Sequence, residues 1–145
     1  AIESMAPLVD AMKHEGKSVV LAPEGTRTVS PRLAPFKKGA FHLAMQAGVP
    51  IVPIVIRNAG DVAPKGDFVF RAATVDVQVL PPVDTSGWRV ADLNEHVREV
   101  RNMFARALGQ PEEPPKGAIA AAKKARSNAR IPTPSPRWPW KWPPK

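Results

Sequence analysis

Glu24, Gly25, Thr26 and Arg27 stand together, and Lys37 and Lys38 follow ten residues after the arginine. Arg27 offers a planar fork of N–H donors that can pair two-to-two with phosphate oxygens. Gly25 allows a backbone turn that approaches an anion closely. Thr26 adds a hydroxyl, either a donor to phosphate or a lock on the loop. Lys37 and Lys38 add positive potential, and the amides around Gly39 open a helix-like segment whose N-terminus also favours an anion. Glu24 would repel a phosphate that it faced. It therefore reads as an acceptor for Arg27, for backbone amides or for a substrate hydroxyl. A lone arginine is usually a surface residue and paired loop lysines are usually solvated. The Gly-centred turn and the fixed order are what make a phosphate pocket of them.

Such a pocket needs elements on both sides to place it. Ile2, Met5, Leu8, Val9 and Met12 recur at helical spacing, so residues 2–15 are expected to form an amphipathic helix ending at Gly16. Residues 18–22 read as a short buried strand that delivers the turn. Pro23 to Lys38 is loop, and Gly39 to Ala47 a short helix packing Phe41, Leu43, Ala44 and Ala47. Ile51 to Arg57 reads as a second buried strand, with Pro53 marking an edge or a bulge because proline cannot donate to a ladder. Phe68-Val69-Phe70 and the alternating segment Thr74 to Val79 suggest a strand pair. Asp92 and Glu95 suggest a capping box for a helix reaching Leu108, with Leu93, Val97, Val100, Phe104 and Leu108 on one face and Gly109 at its end. Helix, strand, helix, strand, strand pair and helix make an α/β domain, a mixed sheet flanked by helices, with the pocket at a strand end.

The same residues carry a resemblance. Pro23-Glu24-Gly25-Thr26-Arg27 resembles the third signature block of the glycerolipid acyltransferases, the family of 1-acylglycerol-3-phosphate acyltransferases. Phe36-Lys37-Lys38-Gly39-Ala40-Phe41 and Gly48-Val49-Pro50-Ile51-Val52-Pro53-Ile54 resemble the family's segments downstream of that block, the latter being the fourth block. The similarity runs from about Ala1 to Gly109. Ala22 stands where the family has a bulky apolar residue, and Thr28 where it has serine. The resemblance implies transfer of an acyl group from acyl-coenzyme A or acyl-carrier protein to the free hydroxyl of lysophosphatidic acid, giving phosphatidic acid in phospholipid biosynthesis. A His–Asp pair would act as general base, without a covalent enzyme intermediate. Glu24, Gly25, Thr26, Arg27, Lys37 and Lys38 would bind the acceptor, while Val49, Pro50 and Pro53 would be structural or line the acyl path. No cofactor or metal is implied.

The family's first block is Asn-His, four residues, then Asp. None of His14, His42 and His96 has an aspartate five positions on. His14 suits the last turn of its helix, where a cation favours the dipole, and His42 reads as a partly exposed helix residue. The second, Gly- and Arg-containing block has no match either. The chain is therefore expected to be the C-terminal part of a longer enzyme, with no catalytic residue of its own and inactive alone. A different class of reading is a non-catalytic lipid- or membrane-binding module with relic acyltransferase motifs.

The bulk properties constrain the rest. The 145 residues carry a net charge of +8, unevenly spread: residues 1–110 contribute +2 and residues 111–145 contribute +6. Nine of the eighteen prolines fall in that second part. Two regions are expected, residues 1–109 as the C-terminal half of an acyltransferase domain and 110–145 as a disordered basic Pro/Trp-rich tail. Ala118 to Arg130 could form a short basic helix. Trp138, Trp140 and Trp142 alternate with proline and lysine, which suits an anionic membrane surface. Nucleic acid is not expected as a partner, because the folded part carries little excess charge. Without cysteine there is no disulfide framework or thiolate metal site, which fits a reducing compartment. The longest apolar stretch, Val49 to Ile56, is too short to cross a bilayer. The expected location is membrane-associated, on the cytoplasmic face.

Overall fold

The computed structural model describes residues 5–27, 30–62, 66, 69–115, 117 and 118. Helix α1 (Ala6–His14) begins with Pro7 in its first turn, where the missing amide costs nothing. Its residues are half-buried at best, on the side that meets α2 (Gly39–Ala47). Helix α2 buries Phe41, Leu43, Ala44 and Ala47, as its spacing requires, and ends at Gly48 in the left-handed conformation. A Cβ on Gly39 would lie 3.3 Å from Met5 Cε, so the two helices meet closely there.

Strands β1 (Ile54–Ile56) and β2 (Val77–Val79) pair antiparallel, Ile54 opposite Val79 and Ile56 opposite Val77. Upstream, Ile51 bridges Val83. The three-residue step from Ile51 to Ile54 thus faces a four-residue step from Val79 to Val83, a bulge at the level of Pro53. Pro53 is fully buried, and its carbonyl accepts from the Leu80 amide at 2.9 Å, so the missing donor is never needed. The α3 turn (Ala59–Val62) follows β1. Asp84 then closes the loop after the bridge, accepting from the Ser86 amide at 2.9 Å and hydroxyl at 2.8 Å. Those bonds hold its carboxyl below the ordinary carboxylate range.

Helix α4 (Leu93–Ala107) follows a 3₁₀ turn at Val90–Asp92. It buries Leu93, Val97 and Val100. These meet Phe36 and Phe41 to form the core, flanked by Leu33, Ala40, Ile51, Val83, Trp88 and Phe104. Phe36 packs edge-on against Phe104 at 5.2 Å between ring centroids and is stacked with Phe41 at 6.3 Å. The architecture is α/β, with a small sheet and helices.

Four expectations are corrected. The segment 18–22 is not a strand and not buried: Val20 is 89% exposed and Leu21 45%. A β-branched run becomes a strand only beside a ladder partner, and no described residue pairs with it. Val69 and Phe70 are also exposed and outside any strand; Phe68 lies outside the described residues. Strand β2 starts only at Val77, because the Asn58 side chain takes over the preceding ladder positions. Its amide donates to Thr74 O, and its carbonyl accepts from the Asp76 amide at 2.9 Å. The capping box is absent. The 3₁₀ turn puts Asp92 in a helical conformation, whereas an N-cap needs an extended one. Asp92 instead accepts from Arg89 Nε at 2.9 Å, and Glu95 pairs with Arg98.

The chain divides into the compact units Ala1–Pro115 and Lys116–Lys145. Every helix and strand named so far belongs to the first, which extends past Gly109: Gln110 and Glu113 bond back into it. The expected helix from Ala118 to Arg130 and the Trp/Pro segment lie, beyond residue 118, outside the described residues. Among the described residues no helix is long and apolar enough to cross a membrane.

Candidate functional site

Residues 22–25 make a tight turn closed by the Gly25 amide on Ala22 O at 3.0 Å. Gly25 has φ +72°, a conformation that side-chain-bearing residues rarely adopt. The glycine also makes room for a neighbour: a Cβ there would lie 2.6 Å from Lys37 Nζ and 2.8 Å from its Cδ and Cε. Lys37 therefore lies across the bare face of the turn. Its own amide donates to Pro23 O at 2.7 Å, which fastens the backbones of the two blocks together.

Glu24 is engaged by the loop that follows. Its Oε2 accepts from the Ala34 amide at 2.9 Å, so of the three partners open to it in the sequence the backbone is the one taken. Thr26 Oγ1 makes only a long 3.4 Å contact with Arg27 O, a weak lock on the turn. The Arg27 side chain is exposed and has no hydrogen bond or ion pair with any described residue; Thr28 lies outside the described residues. Lys38 is exposed at the head of α2, and its carbonyl takes the helix's first bonds, from Phe41 and His42. The amides of Gly39 and Ala40 precede those bonds and point out of the helix end.

The arrangement joins Gly25 and Lys37, sets Arg27 two residues from the glycine, and puts the α2 N-terminus directly after the lysines. It offers an anion the Lys37 head and backbone amides, with Arg27 and Lys38 exposed close by along the chain. His14 pairs with Asp10 at 2.7 Å; His96 stacks on Trp88 at 4.5 Å and contacts Glu99 at 3.3 Å. Among the described residues no hydrogen bond, ion pair or ring contact joins a histidine to residues 23–27. Val49 and Pro53 act through their carbonyls, Val49 O accepting from the buried Thr85 hydroxyl at 2.8 Å, while Pro50 is exposed. A shallow groove of about 380 Å³ lined by Gln78, Leu80, Pro81, Met103, Arg106 and Ala107 shares no residue with the turn. Among the described residues no group of three or more His, Cys, Asp or Glu could hold a metal ion.

The loop between turn and lysines is held by residues that the sequence did not single out. Arg101 donates from Nη2 to Leu33 O at 2.7 Å and from Nε to Ala34 O at 3.1 Å. Gln110 accepts from the Leu33 amide at 2.8 Å and donates to Pro31 O at 2.9 Å. The signal in the sequence is slight: an arginine on the flank of an apolar helix seam, and a glutamine one residue past its terminal glycine.

Residues 1–57 match the family model described as Acyltransferase. A 1-acyl-sn-glycerol-3-phosphate acyltransferase from Limnanthes alba is 36% identical over 114 residues, 79% of this chain and 41% of the relative. A human 1-acyl-sn-glycerol-3-phosphate acyltransferase beta is 40% identical over 126 residues, 84% of this chain and 45% of the relative. The crystal structure of the 1-acyl-sn-glycerophosphate (LPA) acyltransferase PlsC from Thermotoga maritima superposes with a TM-score of 0.63 at 28% identity, covering 74% of this chain and 47% of that one. The chain spans less than half the length of these relatives. In signature order, sequence and fold the chain is similar to the glycerolipid acyltransferases, over residues 1–57 for the family model and over less than half the length of each relative.

Proposed function

We propose that this chain supplies the acceptor-holding part of a 1-acylglycerol-3-phosphate O-acyltransferase. The reaction moves an acyl group from a thioester of coenzyme A or acyl-carrier protein to the free hydroxyl of lysophosphatidic acid, and the product is phosphatidic acid. The observation that carries this reading is Lys37 lying across Gly25, beside an Arg27 whose guanidinium no described residue occupies. A lysine head at a glycine turn, with an exposed arginine two residues along the chain, suits a phosphate monoester dianion. Held there, the lipid would present its hydroxyl to the His–Asp general base of a His-x₄-Asp block, a pattern this sequence does not contain; the chain alone would then be inactive. Such positioning contributes to rate as directly as the base does. No cofactor is needed for an addition–elimination at a thioester carbonyl.

The names of the relatives support the substrate class. The same reading includes membrane association on the cytoplasmic face; a lipid acceptor suits a membrane surface, and the Trp/Lys/Pro composition of residues 138–145 supports tail contact with anionic lipid. The test is kinetic, in an acyltransferase carrying this segment together with a His–Asp block. Arg27→Ala should raise KM for the acceptor by about tenfold or more, the worth of one charge-assisted contact, with KM for the thioester donor held within about twofold. An unchanged acceptor KM would count against the reading. One rival is a lipid-binding module without catalysis. A polypeptide whose His–Asp block is intact yet turns over no acyl donor would establish it.

A further inference from the structure

We propose that Arg101 and Gln110 are positioning residues of the headgroup site: they template the loop that carries Lys37 onto the Gly25 turn. The proposal rests on the headgroup reading and adds residues outside its signature blocks.

Residues 31–34 have no helix or strand to satisfy their backbone, yet Leu33 and Ala34 are half-buried. Buried backbone groups need partners. Here side chains supply them, from 67 to 79 positions away in sequence. Gln110 brackets the loop with one amide group, reaching Leu33 N and Pro31 O. Arg101 brackets the next step with its fork, reaching Leu33 O and Ala34 O. The Ala34 amide then goes to Glu24 in the signature turn, and three residues later the Lys37 amide goes to Pro23 O.

Both clamps are themselves fixed. The Arg101 side chain is 13% exposed, and its Nη1 lies 3.0 Å from Glu113 Oε1. The backbone of Glu113 is held by Asn102 on both sides, at 2.8 and 2.9 Å, and by Arg98 at 3.1 Å. The Gln110 backbone N–H donates to Ala105 O at 2.8 Å. Helix α4 thus acts as a rigid rail on which the loop is seated. Its own seat in the core comes from other residues, Leu93, Val97 and Val100. Loosening the clamps should therefore leave the helix packed and free the loop. The loop would then slip, drawing the Ala34 amide from Glu24 and the Lys37 head from Gly25.

The test uses the full 145-residue chain, glycerol 3-phosphate as probe, and nuclear magnetic resonance. In the wild type, the Lys37 side chain should show a through-space contact to the Gly25 α-protons, and the probe should shift the Gly25 and Lys37 amides. Gln110→Ala removes one clamp from outside α4. Arg101→Lys keeps the charge opposite Glu113 and loses the fork. Each should abolish the Gly25–Lys37 contact and weaken probe binding by about tenfold, the loss of one charge-assisted hydrogen bond. The Val97 and Val100 amides should stay in place. If they move in Arg101→Lys, Gln110→Ala decides the matter. Contact and binding unchanged in the variants overturn the proposal and leave the headgroup reading standing. A wild-type chain that shows the contact and binds no probe overturns the headgroup reading and this one with it.

Discussion

The segments on either side of the signature turn are alike in sequence and opposite in fate. Residues 17–22 and residues 31–36 are both short, apolar in part and without regular structure. After the turn, Phe36 is 8% exposed, Leu33 is half-buried, and four backbone groups are taken by Arg101 and Gln110. Before the turn, Val20 is 89% exposed, and the backbone's nearest bonds run back to Ala11 from Lys17 and forward from Gly25 to Ala22. The β1–β2 pair shares this bareness. Ile54, Ile56, Val77 and Val79 lie on one face and all are 45% exposed or more, while Val55 on the other face is buried. Apolar composition makes a segment ready for burial. Whether it is buried depends on a partner within reach, and α4 is the partner that one side has.

The comparison can be broken in graded ways. The largest effect should come from Phe36→Ala. Phe36 joins the held segment to Phe41 and Phe104, and its loss should cost about 3–5 kcal/mol in urea unfolding. A cost under about 1 kcal/mol would mean that the polar clamps alone hold the loop. Next comes Gly25→Ala, at the hinge between the two segments. Its left-handed backbone should cost roughly 1–2 kcal/mol, and the new methyl should push the Lys37 head aside, since only the flexible end of that side chain stands in the way. Thermal unfolding reads the first effect and glycerol 3-phosphate binding the second. A variant that melts and binds like the wild type would show that Lys37 does not lie across the turn. The smallest effects belong to the bare side. Val20→Thr and Val77→Thr should each change stability by no more than about 0.5 kcal/mol. A loss of about 2 kcal/mol in either would show that its face is covered and that the two sides of the turn do not differ in this way.

Much of this is legible in the residues. Helix α2 runs from Gly39 to Ala47 as its apolar spacing and Gly48 require, because a single face must meet the core and a glycine must supply the left-handed end. The bulge at Pro53 follows from a ring that cannot donate. Helix α4 and its seam follow from an unbroken 3.6-residue period. The capping box at Asp92 fails because residue type cannot tell a 3₁₀ entry from an extended cap. The strand at 18–22 fails because β-branching reports a preference that only a neighbouring strand can realise.

The sequence by itself determined the local chemistry of the site: which turn could form at Gly25, which cations stood near it, and where the next helix would begin. These depend on φ angles, side-chain types and spacing, all of which are properties of adjacent residues. Only the tertiary structure decided that Lys37 crosses Gly25, that Glu24 serves the Ala34 amide, and that Arg101 and Gln110 hold the loop between. Those facts join residues ten to nearly eighty positions apart, and contacts at such separations are set by how α4 packs in the core.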